Sequence, residues 1–272
     1  MINKNNELVR YSNELVDFYN FDFTKEKELD IFIAIIYAVQ KNESLIQFKT
    51  QDIKKLIKTS NLTYKEFKQY VRGLASTPLR YKANIDIVEN GVVKVKKGDN
   101  VEEFFFDKLI FSKDEEYITI VLKENFKALV MDLKKEFSKH GLKEFFMLNG
   151  KYTKFLFMHL NRWKNYHDRL EWTEERLREK LKVPQNYNFS KIEERILEKA
   201  RKEIVTKTEI YFDYEIERQT KTVQFKVYKL EEKFLEDYLK KIDKKDYNDL
   251  TEIEKKIYEI SLKAKKEREG QQ

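Results

Sequence analysis

The sequence predicts a helix-rich α+β fold: two pseudo-symmetric winged helix-turn-helix domains in tandem, followed by a C-terminal helical tail. One order of elements, namely helix, short strand, helix, helix and hairpin, occurs twice along the 272 residues. Corresponding helix starts lie 123 residues apart at Thr50 and Thr173, and 127 residues apart at Thr63 and Ser190. A near-constant offset indicates an internal duplication. A hydrophobic content of 41% and an aromatic content of 14% suffice for real cores and exclude a disordered chain.

Composition narrows the function classes before any motif is considered. The chain has no cysteine, which excludes a disulfide scaffold, thiolate zinc fingers and thiol catalysis. Lys and Arg total 55 against 48 acids, and this net charge of +7 leaves a nucleic-acid partner and a merely solvated surface equally open. No apolar leader and no apolar run of the ~20 residues that span a bilayer occur, so we expect a cytoplasmic protein without a membrane partner.

The first module begins with a helix that is apolar on almost every side. Thr24 is its expected N-cap, and acidic residues follow before the apolar run 31–39. A helix of this kind is buried and central, although a buried strand is the alternative. Phe48 then precedes a short helix that Thr50 is expected to cap.

A third helix provides the first candidate surface for DNA. Thr63 and Glu66 have the spacing of a capping box, and Pro78 ends the helix. Its apolar side carries Phe67, Val71 and Leu74, and at about 100° per residue its polar side carries Lys65, Lys68, Gln69 and Arg72. Beyond Pro78 the hydrophobic period changes to two. Asn90-Gly91 predicts a hairpin, which we interpret as the first wing, and further strands are expected over 103–111 and 117–122.

The second module repeats this order. A helix opens after Gly150, Trp172 takes the place of Phe48, and Thr173 caps a short helix. Ser190 and Glu193 predict another capping box at the start of the last helix. Strands are expected over 209–214 and 223–228, joined by a turn around 218–220.

Three segments follow from these elements. An N-terminal winged-helix domain is expected at 1–140, with DNA binding and dimerisation, and a C-terminal winged-helix domain at 141–235, with the main DNA readout. A charged helical tail occupies 236–272, where Thr251 and Glu254 predict one capped helix.

Motifs for catalysis are missing. His140, His159 and His167 stand in no paired metal motif, and no phosphate-binding glycine loop or nucleophile elbow occurs. The acidic run 114–116 is more typical of a solvated turn than of a catalytic carboxylate pair. We therefore expect no enzyme activity, no metal and no cofactor.

The last helix of the second module is the main candidate for base contacts, because a recognition helix fits the major groove of DNA. Opposite its buried arc it carries Lys191, Arg195, Glu198, Lys199 and Lys202. Arg195 and Lys202 suit guanine O6 and N7, and Glu198 suits cytosine N4. Lys191 suits a phosphate near the helix start. The alternative is the solvated face of any helix.

Basic residues near the wings are candidate phosphate contacts: Lys94, Lys96, Lys97, Lys221 and Lys226. The alternative is a charged strand edge that prevents aggregation. Lys151 follows Gly150 at a helix start, where exposed backbone N–H groups bind phosphate, and is a further candidate.

Several motifs occur in a family's order: Gly150-Lys151-Tyr152-Thr153, Trp163, the segment 177–184, Tyr187 and the segment 195–204. Together with the segments 12–16 and 23–24, they resemble the iteron-binding plasmid replication initiators of the RepB/RepE type. The resemblance covers roughly residues 10–230. Phe157 stands where the family often has Tyr.

The resemblance implies a monomer that binds directly repeated origin sites (iterons) in double-stranded DNA. It also implies a dimer, joined through the N-terminal domain, that represses its own gene, and two host partners, a replication initiator and a helicase. It carries over Arg195 and Lys202, whereas Lys65, Gln69 and Arg72 depend on helical phase alone. Two alternatives stay open: a winged-helix transcription regulator without a replication role, and a structural protein that uses winged helices for protein contacts.

Overall fold

The computed structural model divides the chain into two units, Met1–Phe146 and Met147–Gln272, and each unit combines helices with antiparallel strands. The structure describes residues 8–13, 15, 20–21, 23, 25–42, 46–57, 62–82, 87–89, 92–131, 137–164, 170–229, 247–251, 254–255 and 258–259. Among these residues no helix is long and apolar enough to cross a membrane.

The helices are α1 (Glu26–Asn42), α2 (Thr50–Leu56), α3 (Tyr64–Ser76), α4 (Glu124–Val130), α5 (Leu142–Met147), α6 (Lys151–Trp163), α7 (Glu174–Leu181), α8 (Phe189–Ile192) and α9 (Lys199–Lys207), with a 3₁₀ turn at Tyr247–Asp249. A π-helical segment (Glu193–Glu198) joins α8 to α9, so residues 189–207 form one continuous helix. The strands are β1 (Leu8–Ser12), β2 (Asn20–Phe21), β3 (Ile46–Lys49), β4 (Pro78–Lys82), β5 (Ile87–Glu89), β6 (Val92–Val95), β7 (Asn100–Phe104), β8 (Phe106–Phe111), β9 (Tyr117–Leu122), β10 (Phe137–Gly141), β11 (Leu170–Thr173), β12 (Ile210–Glu217) and β13 (Thr222–Lys229).

Helix α1 is the centre of the first unit, as its apolar run predicts. Residues 31–39 are all buried, and even Asp30 is only 3% exposed. Phe32 packs at 4.8 Å from Phe105 and at 5.2 Å from Phe23, between ring centroids. Helix α1 also contacts α3 and β3, so the core fixes the elements of the helix-turn-helix.

The two units repeat one sheet topology, which confirms the tandem winged helices. In the first unit the strand before the helix-turn-helix, β3, pairs with β9, which pairs with β8. In the second unit β11 pairs with β13, which pairs with β12. The equivalent aromatic residues Phe48 and Trp172 lie on β3 and β11, and both are buried.

The prediction for the first wing is wrong. Strands β5 and β6 do pair as a hairpin, with Glu89 opposite Val92, but they form a sheet of their own. The pair in the wing position is β8–β9, and strands β4 to β7 are an insertion between α3 and that wing. An Asn-Gly signal reports local pairing only, whereas the wing is defined by its pairing with the distant β3. Asn90 and Gly91 themselves lie outside the described residues.

Of the helix caps predicted at Thr50, Thr63 and Thr173, two are confirmed and one is wrong. Thr63 and Glu66 form the capping box of α3, and Thr173 accepts from the N–H of Arg176. Thr50 is wrong as a cap, because it is the first residue of α2 and its N–H donates to the Glu116 carbonyl at 2.9 Å. Thr24 lies outside the described residues.

Two further caps concern the recognition helix and the tail. The long helix begins at Phe189 and is capped by Asn188, which accepts from the N–H of Lys191 at 2.9 Å, so the prediction of Ser190 is wrong. Asparagine is among the best N-cap residues, and starting two residues earlier buries Phe189. In the tail, Thr251 and Glu254 exchange the two hydrogen bonds of the predicted capping box.

Candidate nucleic-acid interface

Helix α3 is the recognition helix of the first unit, and its predicted polar face is exposed. Phe67, Val71 and Leu74 are fully buried on the opposite side. Lys65, Gln69 and Arg72 are exposed, and Lys68 is half-buried at the edge. The second helix of a helix-turn-helix is the one that inserts into the major groove, so these four side chains remain the candidates of the first unit.

Phe111, the last residue of β8, connects the first wing to α3. Its ring lies 4.8 Å from Lys68 Nζ and 5.4 Å from the Arg72 guanidinium carbon. Such cation–π contacts hold two flexible side chains over one ring while their charges still face water. Two of the four candidate side chains of α3 are therefore oriented by the wing.

The tip of the first wing is acidic. Asp114 accepts from the Ser112 hydroxyl at 2.5 Å and from the N–H of Glu116 at 3.1 Å, and these bonds hold the pKa of Asp114 below its usual range. Burial, with Glu115 and Asp114 nearby, raises the pKa of Tyr64. The acidic residues 114–116 are a hydrogen-bonded turn, as expected, and a turn of this charge repels phosphate.

The predicted basic residues of the first hairpin lie on the insertion. Lys94 is part of β6, and Lys96 and Lys97 follow it as exposed residues. The N–H of Lys96 donates to Asp99 Oδ2 at 2.8 Å and closes the next turn. They are therefore not wing residues, and their contact with DNA stays a prediction for the insertion.

The helix over residues 189–207, the second recognition helix, presents the predicted face to solvent. Lys191, Arg195, Glu198, Lys199 and Lys202 are all exposed, while Ile196, Leu197 and Ala200 are buried. Arg195 and Glu198 lie in the π-helical segment, where hydrogen bonds run from residue i to i+5. This wider turn rotates Lys202 relative to Arg195, compared with the uniform helical period that the sequence suggests.

Glu198 is held by groups that the sequence did not point to. Tyr214 on β12 donates its hydroxyl to Glu198 Oε1, and Arg201 Nη2 lies 3.0 Å from Glu198 Oε2. Arg201 Nη1 in turn contacts Asp213 Oδ1 at 2.9 Å. Burial and the bond to Glu198 raise the pKa of Tyr214, so its hydroxyl keeps the proton that it donates. Glu198 is thereby fixed as an acceptor on the exposed helix face.

The second wing differs from the first in charge. Its turn, residues 218–221, carries Arg218 and Lys221, both exposed. Arg218 contacts Glu193 of the recognition helix, and Lys221 contacts Glu174 of α7. Lys226, predicted as a wing contact, pairs with Glu215 on the neighbouring strand.

Arg178 stabilises the turn between the two helices of the second helix-turn-helix. Its guanidinium contacts Glu174 Oε1 at 2.6 Å and donates to the carbonyls of Pro184 and Tyr187 at 3.1 and 2.5 Å. Hydrogen bonds from Arg178 and Lys221 lower the pKa of Glu174. Because the Arg178 side chain binds two carbonyls of this turn, it stabilises the angle between α7 and the recognition helix.

Lys151 lies in the first turn of α6, after Gly150 at φ 81°. Its Nζ is 5.0 Å from the Tyr152 ring, and burial raises the pKa of Tyr152. Glu203 of the recognition helix accepts from the N–H of Asn149 at 2.8 Å, so a carboxylate already lies next to this helix start. The structure therefore gives Lys151 a position near the second recognition helix, with a competing anion beside it.

Lys180 on α7 is a buried cation of the second unit. It is 6% exposed, and burial lowers its pKa to about 8, with Arg176 adding to the effect. His159 of α6 is also buried, and burial with the nearby Lys180 charge lowers its pKa. It packs edge-on against Trp172 at 4.9 Å between ring centroids, the core position that its sequence context predicts.

Replacing Lys180 by methionine is expected to raise the free energy of unfolding of the second unit by about 1 kcal/mol at neutral pH. The reason is that folding no longer has to remove a charged ammonium group from water. In the parent chain the folded state loses this proton near pH 8, whereas the unfolded state keeps it to about 10.5. The unfolded state binds more protons in that window, so stability rises with pH there, and Lys180→Met removes the rise. Both tryptophans, Trp163 and Trp172, lie in the second unit, so urea unfolding followed by their fluorescence measures this unit.

The exposed Lys191→Met is the matched control for Lys180→Met, and it should leave stability and its pH dependence unchanged. If Lys180→Met instead destabilises the unit, the contacts of the ammonium group outweigh its desolvation.

Two family models and one solved structure agree with this architecture. A family model described as "Initiator Replication protein, WH1" matches residues 8–161, and one described as "Initiator Rep protein, WH2" matches residues 173–228. A crystal structure of Pi initiator protein in complex with iteron DNA is similar, with a TM-score of 0.59 and 16% identity, over 83% of this chain and 98% of that chain. A structure of domains 2 and 3 of RctB has a TM-score of 0.43 and 11% identity, over 74% of this chain and 80% of that one. No curated protein matches the chain.

Proposed function

The chain belongs to the initiator replication protein family, and from this membership we propose that it starts plasmid replication by binding directly repeated sites (iterons) in double-stranded DNA. One observation carries the proposal: both family modules are present as winged helices, and each exposes a recognition helix with several cations. The solved Pi initiator, whose fold is similar, is in complex with iteron DNA.

The proposed mechanism places each recognition helix in one of two successive major grooves. Arg195 and Lys202 contact guanine O6 and N7, and the fixed carboxylate of Glu198 accepts from cytosine N4. Lys191 and the second wing contact phosphates, which position the protein without specifying sequence. The acidic tip of the first wing faces away from the phosphates, and the exposed cations of α3 supply the contacts of the first unit.

We propose a monomer–dimer equilibrium through the N-terminal domain, repression of the chain's own gene by the dimer, and contacts with the host initiator and helicase. We also propose domain limits at 1–140 and 141–235, followed by an unassigned tail at 236–272. The protein acts in the cytoplasm by binding and assembly, without bond-making chemistry.

A footprint on the DNA that flanks the gene is expected to show protection of tandem direct repeats, because initiation requires several copies assembled side by side. DNase protection with the full chain, titrated from low to high concentration, measures this directly. A lone protected inverted repeat would instead identify a transcription regulator. Absence of any duplex shift at low salt would contradict DNA binding altogether and favour a structural protein.

A further inference from the structure

Two carboxylates tie the tip of the second wing to the helix-turn-helix. Arg218 contacts Glu193 with both terminal nitrogens, Nη1 to Oε2 at 2.8 Å and Nη2 to Oε1 at 2.9 Å. Lys221 Nζ lies 3.1 Å from Glu174 Oε2. We name Glu174, Glu193, Arg218 and Lys221 the wing clamp.

The four side chains of the wing clamp are arranged with their cations outward. The side chains of Arg218 and Lys221 are 62% and 57% exposed, whereas those of Glu193 and Glu174 are 26% and 21% exposed. A guanidinium has five N–H donors in a fixed fork, so a two-bond pair with one carboxylate leaves the others for a second anion. Each cation is thus held by a less exposed carboxylate and keeps N–H donors exposed to solvent, where a phosphate can bind.

The backbone gives the wing tip little support of its own. The last paired residues of the hairpin are Glu217 and Thr222, and the turn between them has Lys221 in the left-handed region at φ 52°. Exposed hairpin ends of this kind are the parts of a fold that open most easily. Contacts to the helices are therefore what sets the distance between this tip and the recognition helix.

Given the proposed function, on which this inference depends, we propose that Glu193 and Glu174 are positioning residues for DNA binding. They hold Arg218 and Lys221 at one distance from the recognition helix, so that phosphate contacts by the wing and base contacts by Arg195 form in the same register. Glu174 extends the effect, since it also binds Arg178, which fixes the turn before the recognition helix. The opposite role is competition, in which the acids neutralise the wing cations and weaken DNA binding.

Positioning and competition predict opposite changes in DNA affinity for one substitution. Glu193→Gln removes the charge that binds Arg218, and Glu194→Gln removes one charge from the exposed neighbour on the same helix. Both variants have the same net charge, so long-range attraction to DNA is equal. Affinity is measured for the duplex protected in the footprint and for a scrambled duplex, and tryptophan fluorescence checks that both variants are folded.

Positioning predicts that Glu193→Gln binds the protected duplex about fivefold more weakly than Glu194→Gln, the size of one well-formed exposed ion pair. In an Arg218→Ala background the difference should vanish. Glu193→Asp keeps the charge but shortens the reach, and should also bind more weakly than the parent chain. It is the second test if Glu193→Gln is unstable.

Equal or tighter binding by Glu193→Gln relative to Glu194→Gln overturns the inference and identifies Glu193 as a competitor of phosphate. The same holds if Glu193→Asp binds as tightly as the parent chain. If the parent chain and Glu194→Gln themselves show no preference for the protected duplex, the proposed function fails instead, so the two failures are distinguishable.

Discussion

Raising the salt concentration from about 50 to about 200 mM is expected to lower the affinity of the chain for its cognate duplex about a thousandfold or more, because each phosphate contact releases a counterion. We expect the exposed cations of the two recognition helices and the second wing to make about six such contacts, and this number sets the expected slope. Those cations are Lys65, Arg72, Lys191, Lys199, Arg218 and Lys221. Fluorescence anisotropy with a labelled duplex at several salt concentrations measures the slope.

Two single substitutions calibrate the salt prediction. Lys191→Gln, at the start of the second recognition helix, should reduce the slope by about one unit, as one lost phosphate contact requires. Lys143→Gln changes an exposed lysine on α5, outside both recognition helices and both wings, and should leave the slope unchanged. A flat salt profile of the parent chain would remove the nucleic-acid interface as a whole.

The sequence predicts local elements of the fold but not the long-range strand pairing that defines the first wing. Features that depend on local sequence signals are predicted correctly. They are the buried run in α1, the capping boxes at Thr63 and Thr251, and the strands of the second wing. The Asn-Gly signal indicates the wrong hairpin for the first wing, because the wing strand β9 pairs with β3, more than sixty residues away along the chain. Pairing at that separation leaves no periodic trace, whereas Asn-Gly leaves a strong one.

The same distinction applies to the interface. Helical phase found the exposed faces of both recognition helices, since burial of one face is a local property. It missed Phe111, Arg178 and Arg218, whose positions depend on contacts between elements. A signal for Arg218 did exist, because the sequence places it in the turn of the second wing. The sequence carries no such signal for its partner Glu193, which it predicts only as part of a helix cap.

Replacing Arg195 by alanine is expected to weaken binding to the cognate site by about 1–3 kcal/mol, or about five- to 150-fold, and to relax specificity at one base pair. Arg195 is exposed in the π-helical segment, between Lys191, the proposed phosphate contact at the helix start, and the fixed carboxylate of Glu198. An arginine there reaches guanine O6 and N7 with two parallel hydrogen bonds, which no other base pair accepts in the same way. Competition binding against duplexes with each base pair substituted in turn measures both effects.

Lys191→Ala is the matched control. The loss of a phosphate contact weakens binding to cognate and scrambled duplexes equally and leaves the base preferences intact. Arg195→Lys should lose most of the specificity at that base pair while keeping the charge, because an ammonium group lacks the planar fork of a guanidinium. If Arg195→Ala lowers affinity for cognate and scrambled duplexes by the same factor, Arg195 contacts phosphate. Base readout by the second unit would then depend on Lys202 and Glu198. Glu198 lies in the π-helical segment and Lys202 follows it, so the uniform helical period describes the positions of both less well.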